Sequence, residues 1–291
     1  MKPVTSIVQG IDENLLSNLI EDIKFIIDKG INENQRIIFL CGADKSDKKS
    51  LRYKFSLVLE NHSMYELTYP EDLFEDLLEG QGENSLLSLE EQLADAVDLI
   101  ALIPESPGSF AELGAFSTQE TLARKTVVFR NAKFKTHKSF INHGPLRLIK
   151  RYKGSVVDIP SDFDPAIKAH RDLVINSVKK RIGQRRKRKE TVNILAYPSQ
   201  ILLLIYLFDG LNYWNIEDLM TKVHTVKASH SEKVAYKAAL HSLLRKNHIQ
   251  QLDSNYSITE LGYQYINEKY YQISKITALR FKIMNKQMKA L

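Results

Sequence analysis

The residues best placed to do chemistry lie in one stretch, Ile103-Pro-Glu-Ser-Pro-Gly-Ser-Phe-Ala-Glu-Leu-Gly-Ala-Phe116. It follows Leu99-Ile-Ala-Leu-Ile103, an apolar run that reads as a buried parallel strand. Pro107 and Gly108 are expected to turn the chain, and Ser109 is expected to cap a new helix with Glu112 in its first turn. A strand, a glycine-containing turn and a helix start are how an open α/β sheet presents side chains at its carboxyl edge. A carboxylate at that place can act as a nucleophile toward a sugar carbon, or it can simply favour the helix start. The spacing alone leaves both readings open.

The other candidates sit where such a sheet would converge on Glu112. Gly42 and Asp44 follow a predicted first strand, Ile37 to Cys41, although Asp44 serves equally well as a helix cap. Ser106, Gly108 and Ser109 offer backbone amides to a phosphate or to ribose hydroxyls. Glu90, on a predicted helix over 85–96, can reach the same cleft to bind ribose hydroxyls or lie on a solvated face. The lone Cys41 reads as a small buried side chain. His137 and His143 lack metal-ligand spacing, so no metal site is assigned.

The elements that must hold these residues alternate. Helices over 14–31, 50–60 and 85–96 interleave with strands at 37–41, 64–69, 99–103, 126–130 and 154–159. That pattern predicts a three-layered parallel sheet. Beyond Pro160 the character changes to helices and a small hairpin around Asp253-Ser-Asn255. Three helices followed by a hairpin describe a winged helix. The expected domains are therefore 1–160 (α/β), 161–192 (a basic helical linker) and 193–291 (winged helix).

Composition narrows the class. With 291 residues, 43% hydrophobic and 26% charged, the chain suits two globular domains. One cysteine excludes an intrachain disulfide and fits a reducing cytoplasm. No signal peptide is visible, and the longest apolar run, Ile201 to Phe208, is too short to span a bilayer, so no membrane partner is expected. The net charge of +6 hides a partition. Residues 55–123 hold fifteen acids and no Lys or Arg, so all 41 basic residues lie elsewhere against the other 20 of the 35 acids. Lys179, Lys180, Arg181, Arg185, Arg186, Lys187, Arg188 and Lys189 form the densest run. Such a run is either a solvated helix end or a phosphate-binding strip, and beside a winged-helix pattern the second reading is favoured.

Two resemblances sharpen the expectation. Phe39-Leu-Cys-Gly-Ala43 and the Gly-x-x-x-Glu-Leu-Gly spacing of Gly108 to Gly114 resemble the nucleoside 2-deoxyribosyltransferase family. In that family the Glu of Glu-Leu-Gly is the nucleophile, which maps to Glu112. The wider layout is similar to the transferase-like effector toxins of retrons, bacterial anti-phage systems. It rests on Tyr69-Pro-Glu-Asp-Leu-Phe-Glu-Asp-Leu-Leu78, Gly80-Gln-Gly82, Ser85 to Glu90, Pro104 to Phe116 and Lys138-Ser-Phe-Ile-Asn142. The resemblance implies a Rossmann-like domain plus a smaller C-terminal winged helix-turn-helix domain. It also implies silencing by a reverse transcriptase and its RNA-linked single-stranded DNA, with homo-oligomers as transferases form.

Two departures from the metabolic transferases, Ser106 where they carry Asp and Leu40-Cys41 where they carry Tyr, point to a different N-glycoside. NAD is favoured, as substrate and not as cofactor. Its nicotinamide is a cationic leaving group that needs no general acid, and acidic surroundings suit a cationic ring. The competing readings are a nucleotide-sensing DNA-binding regulator without catalysis, and a deoxyribosyltransferase acting on nucleosides or nucleotides.

Overall fold

The computed structural model of the chain describes residues 13–30, 36–72, 96–183, 195–225, 228–270 and 273–290. These form two compact units, one within 34–74 and 84–189, the other within 1–33 and 190–291. The first helix, α1 (Glu13–Gly30), belongs to the second unit.

The first unit is built on five strands: β1 (Arg36–Cys41), β2 (Tyr65–Thr68), β3 (Leu99–Leu102), β4 (Thr126–Asn131) and β5 (Ser155–Ile159). All pairings are parallel and the order is β2-β1-β3-β4-β5. Ile37 to Cys41 and Leu99 to Leu102 carry no polar side chain and are buried throughout, which requires cover on both faces of the sheet. Ile38, Leu40, Leu99, Ala101, Val127 and Phe129 meet helix α2 (Leu51–Glu60) on one face. Phe55 packs there, edge-on to Phe129 with centroids 4.9 Å apart and 4.8 Å from Phe163. Strand alternation turns Phe39 and Cys41 the other way. That face is covered by α3 (Pro107–Thr118), α4 (Glu120–Lys125) and α6 (Pro145–Arg151), with the single turn α5 (Phe140–His143) leading into α6. Phe39 meets Phe116 of α3 at 6.5 Å between centroids.

The stretch 161–192, expected as a linker, is instead structural where it is described. Helix α7 (Lys168–Ile182) lies on the α2 face and sinks Val174 and Val178 into the same core as Phe55. Its sequence is dominated by charge, and only the i, i+4 pair of valines and Phe163 before it mark the buried side.

In the second unit, α8 (Tyr197–Phe208) is buried on every side from Gln200 to Phe208. A short strand β6 (Leu211–Asn212), α9 (Tyr213–His224) and α10 (His230–Arg245) follow. The hairpin β7 (Ile249–Leu252) and β8 (Asn255–Ile258) comes next, and β6 adds antiparallel to β8. Asp253 sits in the left-handed region at φ 54°, as a tight hairpin turn requires. Helices α11 (Glu260–Lys269) and α12 (Ile273–Ala290) complete the unit, and α1 packs against α9 and α12. The sequence boundary at residue 1 is thereby corrected. The apolar stripe Leu16, Leu19, Ile20, Ile23, Ile26 and Ile27 is spent on the helical unit, and the sheet unit begins after it. Among the described residues no helix is long and apolar enough to cross a membrane.

Because Phe163 is 1% exposed and joins α7 to α2, Phe163→Ala should cost about 3–5 kcal/mol. Urea unfolding followed by circular dichroism checks this; an unchanged midpoint would restore the linker reading.

Candidate active site

The strand order reverses between β1 and β3, and an open parallel sheet has its crevice outside the carboxyl ends of the strands at such a reversal. Two segments meet there. Ile103 N donates to Cys41 O at 2.9 Å, so the two strands leave the sheet together. Ser106 Oγ then donates to Gly42 O at 3.0 Å.

Helix α3 starts three residues earlier than the sequence suggested. Ser106, not Ser109, is the N-cap, and Pro107 occupies the first helical position, where its missing N–H costs nothing. Ser109 is the third residue of a capping box. Its Oγ accepts from Glu105 N (3.0 Å) and Ser106 N (2.9 Å), while Ser109 N donates to Ser106 Oγ at 3.2 Å. Glu112 therefore stands in the second turn, and no acid occupies the first. The expected lowering of its pKa by the helix start is overturned. Burial dominates and pushes the Glu112 carboxyl up to about 7, against a smaller lowering by the Arg52 charge and by the Cys41 thiol.

Glu112 is half-buried, facing Cys41 at the end of β1. The thiol donates to the carboxylate, and Glu112 Oε2 is buried without a hydrogen-bond partner among the described residues. Cys41 is fully buried and its pKa is raised well above the ordinary thiol value, first by burial and then by the Glu112 charge. It is a neutral donor, not a nucleophile.

Arg52 is the site residue that sequence reading missed. Only 2% exposed, it lies at the start of α2 with Nη1 donating to Ala43 O and Nη2 to Glu71 Oε2, both at 2.6 Å. Its guanidinium is 4.9 Å from the Tyr69 ring centre. The signal was its register: Arg52 shares the inward stripe with Phe55 and Leu59 at i+3 and i+7. Glu105 is the second omission. Its carboxylate accepts from Ala43 N (3.2 Å), Leu51 N (2.8 Å) and Arg52 N (2.9 Å), clamping the β1 loop and the α2 N-terminus to the end of β3.

The remaining sequence candidates fall into three groups. Gly42 and Gly108 lie on the two edges of the crevice. A Cβ on Gly42 would stand 2.7 Å from Arg52 Cβ, so the glycine admits the arginine, whereas a Cβ on Gly108 would meet nothing within 4 Å. Ser106 and Ser109 are present but their hydroxyls are committed to the cap, which leaves few free groups for a phosphate. Asp44 is exposed and turned into its own loop, accepting from Ser46 N and Ser46 Oγ at 2.8 and 2.7 Å; the Ser46 hydroxyl chiefly lowers its pKa. It does not cap α2, whose N-cap is Ser50. Glu90 lies outside the described residues, as do Arg185, Arg186, Lys187, Arg188 and Lys189. Lys179 and Lys180 are exposed on the last turn of α7, and Arg181 turns partly inward. Among the described residues no group of three or more His, Cys, Asp or Glu could hold a metal ion.

The family described as STM3845 retron effector protein matches residues 48–251. A ribosyltransferase/DNA-binding protein of retron Ec86 from Escherichia coli, so named as a candidate activity, is 39% identical over 260 residues, covering 85% of this chain and 84% of the relative. The retron Ec73 counterpart from the same organism is 35% identical over 123 residues, 40% of this chain and 38% of the relative.

The folded state holds the Glu112 proton more tightly than the unfolded chain does. That contribution to stability is full below the ordinary carboxylate range and is lost as pH rises through about 7. Glu112→Gln should therefore raise the melting temperature more at pH 8 than at pH 5. Infrared titration of the carboxyl should give a midpoint near 7, unmoved by Cys41→Ser and moved upward by Cys41→Val, which removes the donor.

Proposed function

The chain belongs to the STM3845 retron effector family, and we propose that it acts there as an N-glycosidase with Glu112 as its catalytic group. The observation that carries this reading is a half-buried carboxylate beside a neutral thiol, at the point where the strand order reverses, with one oxygen lacking any donor. A carboxylate so placed stabilises positive charge developing at a sugar C1′, or bonds to it. The relatives' description as candidate ribosyltransferases points to the same bond.

The favoured substrate is NAD. The bond between C1′ and the nicotinamide nitrogen breaks, and its electron pair returns to the ring, which leaves neutral. Glu112 meets the oxocarbenium-like carbon. Water then adds at C1′ and loses a proton, or an acceptor takes its place. The ionised form of Glu112 is required, so the rate should rise with pH through about 7. Arg52 favours the ionised carboxylate without overcoming its burial, and anchors the β1 loop; Gly42 and Gly108 border the space the ribose would fill.

In the second unit, the helix–strand–helix–helix–hairpin order supports a winged helix. We assign it, with the basic run from Lys179, to docking on the retron reverse transcriptase and its RNA-linked DNA, which would hold the effector silent. A nucleoside deoxyribosyltransferase is the second reading; the relatives' names favour it only so far as they say ribosyl transfer.

Expression without the silencing partner should deplete cellular NAD and release nicotinamide. Glu112→Gln should cut that release at least about 100-fold. Unchanged NAD together with base exchange between deoxynucleosides would establish the second reading. Neither activity in the wild-type chain would leave a sensor without catalysis.

A further inference from the structure

A concavity away from Glu112 lies on helix α6 and the turn before it. From Thr121 to Val157 the chain has no Asp or Glu, yet it carries ten Lys and Arg. The next acid, Asp158, is already committed: Arg130 Nε and Nη2 donate to its Oδ1 at 2.8 and 2.6 Å, and Lys135 Nζ lies 3.3 Å from its Oδ2. His143, Arg147 and Arg151 are left exposed around a concavity of about 540 Å³ floored by Gly144 and Leu148. Arg147 and Arg151 stand one helical turn apart, about 6 Å along the axis, a step that suits neighbouring phosphates on one strand.

Next to Gly144 stands Phe140, 84% exposed. Its ring edge lies beside Gly144, which lines the concavity: a Cβ there would stand 3.6 Å from Phe140 Cζ, in ordinary contact. The segment presenting it is braced. Asn142 Oδ1 accepts from Arg130 Nη1 at 2.9 Å, while its Nδ2 donates to Phe134 O and His137 O at 2.8 and 2.6 Å. Keeping a phenyl ring in water on a braced turn costs free energy unless something covers it.

We propose that this concavity binds single-stranded nucleic acid, with Arg147 and Arg151 on successive phosphates and an unpaired base stacked on Phe140. Cations alone would suit any polyanion. The exposed ring beside the same concavity selects a strand whose bases are free to stack, since a duplex hides its base faces. The site rests on reading this effector as a nucleic-acid binder, and it adds a footprint on the sheet unit to the one assigned to Lys179 and its neighbours.

Fluorescence anisotropy of the full chain with a labelled oligothymidylate and with a matched duplex tests the site across a salt series. Arg147→Gln with Arg151→Gln should weaken strand binding about ten-fold or more at low salt and lower the salt slope by about 1.4. Phe140→Ala should weaken strand binding about five- to hundred-fold, keep the slope and leave the duplex unchanged. All three side chains are exposed, and an unchanged circular dichroism melt checks the fold. Strand binding lost through Lys179→Gln with Lys180→Gln but untouched by Arg147, Arg151 and Phe140 overturns this site and keeps the broader reading. A wild-type chain that binds no strand, or binds only anionic vesicles, overturns both.

Discussion

A carboxylate taken partly out of water raises its own free energy, and the sheet unit is arranged around that cost at Glu112. Three devices limit it. A neutral thiol from the last residue of β1 supplies one hydrogen bond, a guanidinium from the first turn of α2 supplies charge, and full immersion is avoided because the residue is only half-buried. Nothing offsets the last part, since Oε2 has no donor among the described residues. A group left in that condition discriminates strongly between ligands. A cationic or electron-poor centre, or a hydrogen-bond donor, lowers its energy, and an anionic one does not.

The positions of the three partners follow from strand alternation and strand order. Cys41 faces α3 because it is two residues from Phe39, whose ring meets Phe116. Arg52 reaches the same point from the opposite layer because it sits at the N-terminus of α2, beyond the carboxyl edge of the sheet. Glu105 fixes the gap between them, holding three amides from the β1 loop and α2 on a carboxylate that leaves β3. The site is thus a junction of two loop ends, each stabilised by the other.

Much of this was legible in the chain and some was not, for identifiable reasons. Continuous apolar runs such as Leu99 to Leu102 admit little but a strand covered on both sides, so the parallel sheet and the place of Glu112 on it could be read directly. The start of α3 was misplaced because Pro107-Gly108 looks like a turn; a proline is equally at home at the first helical position, and the choice depends on which serine finds the amides. The pKa direction was misread for the same reason, since burial is a property of neighbours and not of spacing. The affinity of α1 for the far unit was invisible, because an apolar stripe announces a buried face without naming what buries it. Arg52 was visible in principle, as a cation in phase with Phe55 and Leu59.

The packing of α1 has a consequence for how the protein can be divided. Since α1 joins α9 and α12, the helical unit is assembled from chain on both sides of the sheet unit's sequence. A fragment that begins at β1 would lack α1 and leave the apolar faces of α9 and α12 that it covers open to water.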